Sequence, residues 1–282
     1  VLQAYLPDSW EEQIKLCAWA KERVEQGGAR IKIRLVKGAN LAMEKVEASM
    51  HGWAQAPYGT KAQVDANYKR MLHYGCMPDN ARYVQFGVAS HNLFDLCYAM
   101  LLREREGVRD QVEFEMLEGM ANHQARVIRQ AADGLLLYAP VVLKEDFHSA
   151  IAYLVRRLDE NTSEENFLHD LFGMTPGSRS WEVQKKRFLK ACQEKDEVKY
   201  GPNRTQNRAA DSIQPSHYRD AFANERDTDW SLRQNAEWIN GLIAAEKEKS
   251  GEEIPLVIDG EEITTNLWGV GRDPSRNNEV SY

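Results

Sequence analysis

Arg30 to Asn40 reads RIKIRLVKGAN, and in it Ile31, Ile33 and Leu35 alternate with Lys32, Arg34 and Val36. A period of two means a strand with its side chains on opposite faces, here one apolar face and one partly charged. Strands of a parallel sheet, covered on both sides, run almost continuously apolar. A Lys-Arg face therefore needs a purpose. The intrusion recurs: VLQAYL (Val1 to Leu6) holds Gln3 and YVQFGVAS (Tyr83 to Ser90) holds Gln85. QVEFEML (Gln111 to Leu117) holds Glu113 and Glu115, LLLYAPVV (Leu135 to Val142) holds Tyr138, and Lys37 follows Arg34.

Helical stretches separate these strands. Pro7-Asp8-Ser9 leads into the first, with Ser9 and Glu12 in capping-box spacing and Gly27-Gly28 at its end. A loop and short helix are expected over Asn40 to Trp53, and helices over Lys61 to His73 (ending near Gly75), Leu93 to Arg105 and Ala121 to Ala132. Alternating strand and helix is the pattern of parallel βαβ units. Polar residues on every strand favour a β/α barrel, where inward positions near the carboxyl ends hold ligands, over an open sheet with one switch point. Five strands do not close an eight-stranded barrel, so three more are expected ahead of Val1.

Phe147 to Asn161, FHSAIAYLVRRLDEN, reads as the helix after the fifth strand. Phe147, Ile151, Leu154, Val155 and Leu158 share one face, and Tyr153, Arg156, Arg157 and Glu160 the other. This is either a core-packed helix with a solvated outer face or the lid of an anion site, since two adjacent guanidiniums can clamp a carboxylate.

The chain has 282 residues and a formal charge of −7, which argues against broad nucleic-acid binding. Its 43% hydrophobic and 28% charged content is that of a globular protein. Cys17, Cys76, Cys97 and Cys192 have no metal-ligand spacing and suit a reducing cytoplasm, and the seven His form no zinc motif, so no metal is expected. No run is apolar enough to span a membrane, while peripheral attachment stays open.

Beyond Asn161 the pattern changes. Thr162 to Met174 and Ser180 to Glu194 are expected as short helices, Lys199 to Arg226 as a connection, and Trp230 to Lys247 as a helix capped by Asp229. LVIDGEEITT (Leu256 to Thr265) is a hairpin signal around Asp259-Gly260. Gly269-Val270-Gly271 lacks the third glycine of a dinucleotide fingerprint and is expected as loop.

Taken together, VLQAYL, IRLVKGA (Ile33 to Ala39), VDANY (Val64 to Tyr68), ASHN (Ala89 to Asn92), EFEMLEGM (Glu113 to Met120), LYAPV (Leu137 to Val141) and AYLVRRLDEN (Ala152 to Asn161) resemble the proline dehydrogenase family. The match is closest to its PutA-type bifunctional members, in which the barrel is fused to an aldehyde dehydrogenase. The resemblance implies an α/β fold: 1–165 as the C-terminal part of a (β/α)8 barrel, 166–250 as a helical linker, and 251–282 as the β-hairpin segment beginning an aldehyde-dehydrogenase-like domain. It implies FAD-dependent oxidation of L-proline to pyrroline-5-carboxylate, electrons passing to a membrane quinone, and NAD-dependent conversion to glutamate at a second site beyond this chain. Gln3, Arg34, Val36, Lys37, Gly38, Ala39, Ser90, His91, Asn92 and Glu160 are then expected at the FAD, with Leu117, Tyr138, Tyr153, Arg156 and Arg157 around the substrate.

Alternatives stay open residue by residue. Arg34 has a rival role as a structural ion pair with Glu113 or Glu115, His91 as a hydrogen-bonded core histidine, and Tyr138 as plain core. Asn40 stands where many relatives carry an aromatic, which keeps hydroxyproline or another cyclic imino acid in play as substrate. Val64 replaces a frequent Thr, and Glu118 a frequent His. Residues 162–282 could instead form an oligomerisation or interaction module.

Overall fold

The computed structural model describes residues 1–162, 166–171, 173–211, 224–248 and 253–281, without the side chains of Glu160 and Asn161. Two units result, Val1–Arg204 and Thr205–Tyr282.

In the first unit the elements run β1 (Leu2–Gln3), α1 (Ser9–Glu25), β2 (Ile31–Val36), α2 (Leu41–His51), α3 (Lys61–Cys76), α4 (Pro78–Ala81), β3 (Val84–Ala89), α5 (Leu93–Arg105), β4 (Val112–Leu117), α6 (Asn122–Ala131), β5 (Leu136–Tyr138), α7 (Phe147–Asn161), α8 (Phe167–Leu171) and α9 (Arg179–Glu194). The five strands form one parallel sheet in chain order, the arrangement of consecutive barrel strands.

Alternation decides which face does what. Ile33, Leu35, Val84, Phe86, Val88, Val112, Phe114 and Met116 point to one side, none more than 3% exposed. There they meet Cys17 and Ala20 of α1, Tyr68, Met71 and Leu72 of α3, Leu96, Ala99 and Leu102 of α5, and Ile128 of α6. α3 ends at Cys76, one residue past Gly75 and close to where it is expected. A Cβ on Gly75 would sit 2.5 Å from Phe86 Cε2, so the glycine is a packing gap for the phenyl ring. The Lys32-Arg34, Gln85 and Glu113-Glu115 positions lie on the opposite face.

Several expectations need correction. The capping box falls at Thr60, whose Oγ1 accepts from Gln63 N while its own N–H donates to Gln63 Oε1 at 3.2 Å. The Ser9 hydroxyl instead donates back to Leu6 O at 2.7 Å, because Asp8 is already helical. The fifth strand pairs only over Leu136–Tyr138, since Pro140 interrupts the run. The predicted apolar face of α7 is exposed, with Phe147 at 61% and Leu158 at 59%. No element among the described residues covers it.

α9 packs on α3 and α5, so the first unit takes in a helix that the sequence reading assigns to the linker. Its Trp181 and Phe188 close on Phe94, with centroids at 4.9 and 5.7 Å. Beyond it, Asn203 Nδ2 donates to Ala56 O and Arg204 Nε to Ala54 O, fastening the chain to the loop before α3.

The second unit contains α10 (Arg233–Glu248), a hairpin of β6 (Leu256–Ile258) and β7 (Glu261–Ile263), and a smaller pair, β8 (Arg272–Asp273) with β9 (Glu279–Val280). The hairpin turns through Asp259 and Gly260, both at positive φ, as a two-residue loop requires. Asp229 does not cap α10, which starts at Arg233; its carboxylate accepts from Ser231 N and Oγ.

Candidate active site

The sheet's second face is built from charge. Lys32 meets Glu113 and, at 2.8 Å, Glu115 Oε1; Arg34 Nε lies 2.6 Å from Glu115 Oε2. Of the two rival partners for Arg34, the structure selects Glu115, which is 1% exposed. In register, Arg34 faces Gly87 while Glu115 faces Ala89, so the Glu115 carboxylate reaches Arg34 diagonally across β3, past Gly87. Gly87 leaves the room for it: a Cβ there would lie 2.4 Å from Glu115 Oε1 and the carboxylate would have to shift.

From Arg34 a run of stacked groups leads out of the sheet. The guanidinium lies 4.6 Å from the centroid of Tyr138 at the end of β5. Tyr138 meets Tyr153 of α7 edge-on at 6.5 Å, and Arg157 lies 4.9 Å from the Tyr153 ring. The polar side of α7 thus turns toward the strand tips. Arg156 is exposed, one residue and about 100° around the helix from Arg157. The side chain of Glu160 lies outside the described residues.

His91 follows β3 and takes Leu117 N–H into its Nε2 at 3.1 Å. With Nε2 accepting, the neutral ring carries its proton on Nδ1. That Nδ1–H is buried and has no acceptor among the described residues, leaving a donor for a ligand. Burial pushes the imidazole down to about 4, so it is neutral at physiological pH.

The remaining positions are half-buried at the strand ends. Gln3 ends β1, and Val36 O and Lys37 O accept from Ala4 and Tyr5. Ser90 Oγ accepts from Asn92 N at 3.0 Å, while Asn92 Oδ1 caps α5 through Phe94 N and Asp95 N. Gly38, at φ +110°, has the Tyr5 ring where a side chain would be, 2.4 Å from an ideal Cβ. Its openness is used by Tyr5, and Ala39 follows, half-buried.

The Lys37 ammonium turns to Asp65 at 2.5 Å and Asp95 at 2.7 Å. Lys61 adds a second cation on Asp65, and Lys69 a second on Asp95. Burial disfavours the charged Lys37, but the two carboxylates more than offset this and raise its pKa. For Asp65, burial opposes ionisation, and Lys37 and Lys61 outweigh it, holding the carboxyl below its usual range. Sequence reasoning missed this network, although Lys61, Asp65 and Lys69 at steps of four share a helix face. It also passed over Gly87, whose place inside a strand is a readable sign of close approach. Among the described residues no group of three His, Cys, Asp or Glu could hold a metal, and no helix is long and apolar enough to cross a membrane.

A family model described as proline dehydrogenase matches residues 1–170. The bifunctional protein PutA of Klebsiella aerogenes is 35% identical over 147 residues, which is 50% of this chain and 11% of that protein. Hydroxyproline dehydrogenase of Bos taurus is 28% identical over 165 residues, 57% of this chain and 34% of that one. Among solved structures, proline utilization A from Corynebacterium freiburgense superposes with a TM-score of 0.69 at 42% identity, covering 86% of this chain and 22% of its own. Proline utilization A from Bdellovibrio bacteriovorus, inactivated by N-propargylglycine, gives 0.75 at 28% identity and covers 99% of this chain and 26% of its own. This chain therefore spans only a small share of each PutA relative's length.

Proposed function

The chain belongs to the proline dehydrogenase family, and we propose that it carries part of a site where L-proline is oxidised to pyrroline-5-carboxylate with FAD as cofactor. The observation that carries this reading is the unbroken run Arg34, Tyr138, Tyr153, Arg157, which joins the charged face of the sheet to the helix above its tips.

The residues present suit a flavin. The buried Nδ1–H of His91, without an acceptor among the described residues, offers a hydrogen bond to a ligand. Arg34 places a fixed cation where reduction adds negative charge, which stabilises the reduced state. When bound, FAD supplies the two-electron acceptor for the hydride lost from the proline ring. Arg157 and Arg156 grip the substrate carboxylate, fixing the ring at reacting distance. Tyr138, Tyr153 and Leu117 wall the ring and exclude water. Lys37 acts from below, tying β2 to α3 and α5.

In the full-length protein, electrons pass from the flavin to a membrane quinone, with the protein cytoplasmic and attached to the membrane only peripherally. The product is carried on to glutamate with NAD, and 251–282 is the opening β segment of the aldehyde dehydrogenase that does so. The bifunctional naming of the curated relatives supports this, as does a structural similarity covering 99% of the chain. Leu256, Val257 and Ile258, at 57%, 64% and 58% exposed, support assembly of copies through the hairpin. Proline is preferred over hydroxyproline as substrate, since the bovine hydroxyproline enzyme is the more distant relative at 28% identity.

The full-length protein should be yellow and bleach anaerobically on L-proline. Arg156→Met and Arg157→Met should each raise the KM for proline at least tenfold, the loss of about 1.4 kcal/mol for a charge-assisted contact. A smaller rise excludes the clamp, and a colourless full-length protein excludes the flavin.

A further inference from the structure

We propose that Glu115 is a positioning residue for Arg34: across the gap left by Gly87, it fixes where the guanidinium sits and offsets its charge, and so sets the reduction potential of the flavin beside it. This rests on the function proposed above.

An arginine side chain has many rotamers, and an arginine on a sheet face can lean in several directions. Here Glu115 Oε2 lies 2.6 Å from Nε, and the terminal nitrogens of the fork have no hydrogen-bond partner among the described residues. The same guanidinium is laid on the Tyr138 ring at 4.6 Å. Glu115 is itself held, 1% exposed and bound from the other side by Lys32 at 2.8 Å. Gly87 leaves space for this, because a methyl there would lie 2.4 Å from Glu115 Oε1 and push the carboxylate aside.

Lys32, Arg34, Glu113 and Glu115 form a cluster of two cations and two anions. Its net charge is zero, so Arg34 acts on a neighbouring flavin with much of its field cancelled. Replacing Glu115 by a neutral isostere leaves the cluster at plus one. Excess positive charge favours the reduced, more negative flavin and raises its potential.

The test is a reductive titration of the full-length holoenzyme, wild type against Glu115→Gln, with proline kinetics and a crystal structure of the variant. The expected result is full flavin content, a higher midpoint potential, and a KM for proline within twofold, with the change appearing in the rate of flavin reduction. The Arg34 side chain should leave the Tyr138 ring. Gly87→Ala, which keeps the charge but displaces the carboxylate, should free Arg34 in the same way and serves if Glu115→Gln does not fold. An unchanged potential together with an unmoved Arg34 in either variant overturns the proposal. A wild-type protein that binds no flavin defeats the functional reading instead, and the position of Arg34 in the variant structures then still tests the positioning claim.

Discussion

The two faces of the five-stranded sheet share the same peptide bonds and have opposite chemistry. Toward the helices every side chain of the central strands is apolar, and all but the half-buried Ile31 are buried. On the other face Lys32, Arg34, Glu113 and Glu115 stand on alternate residues and pair with one another, Arg34 also lying on the Tyr138 ring. The first face lowers the free energy of folding by removing carbon from water. The second gives up that gain at four positions and arranges charge instead.

If the helix-side face carries stability, Phe86→Ala should cause the largest loss. Phe86 is fully buried and fitted to Gly75, and its removal should cost about 4 kcal/mol in equilibrium denaturation. A loss under about 1 kcal/mol would show that the core closes over the gap. Next comes the network under the strand ends. Asp95→Asn removes the charge that pairs with Lys37 and Lys69, and should cost about 3 kcal/mol by the same measurement.

Acid and base should reveal that network too. Asp65 and Asp95 titrate below their usual range, so their stabilisation is present above about pH 4 and fades as pH falls through their lowered values. Lys37 titrates above its usual value, so its share is present below about pH 10.5 and is lost as pH rises further.

His91 acts in the same direction as the aspartates and opposite to Lys37. Its folded value lies near 4 against an ordinary 6.5, so the unfolded chain takes up a proton first. Stability should fall as pH drops from 6.5 toward 4, by up to about 3 kcal/mol, and His91→Gln should remove that part of the slope. The smallest effect belongs to neither face. Thr60→Ala removes the capping hydroxyl of α3 and should cost about 1 kcal/mol while leaving the KM for proline unchanged.

Much of the frame was legible in the residues. The alternation in RIKIRLV announces both faces of β2, and α5 and α7 occupy the spans their patterns predict. Asp259-Gly260 marks its hairpin because few other pairs accept two positive φ angles. The failures share a cause. Ser9 and Thr60 both precede suitable partners, and only the path of the preceding chain decides which one caps. Lys37 and Asp95 are 58 residues apart in sequence, so no local pattern could show that they touch.

The order of strands and helices, and the presence of charge on one side of the sheet, were determined by sequence alone, because periods of 2 and 3.6 are local properties of the backbone. Tertiary structure decided which charges pair: Arg34 with Glu115 over Gly87, and Lys37 with two aspartates beneath the site. It also decided that α7 turns Tyr153 and Arg157, not its aliphatic stripe, toward the strand tips. Pairing and facing depend on distances through space, and those exist only once the strands lie side by side.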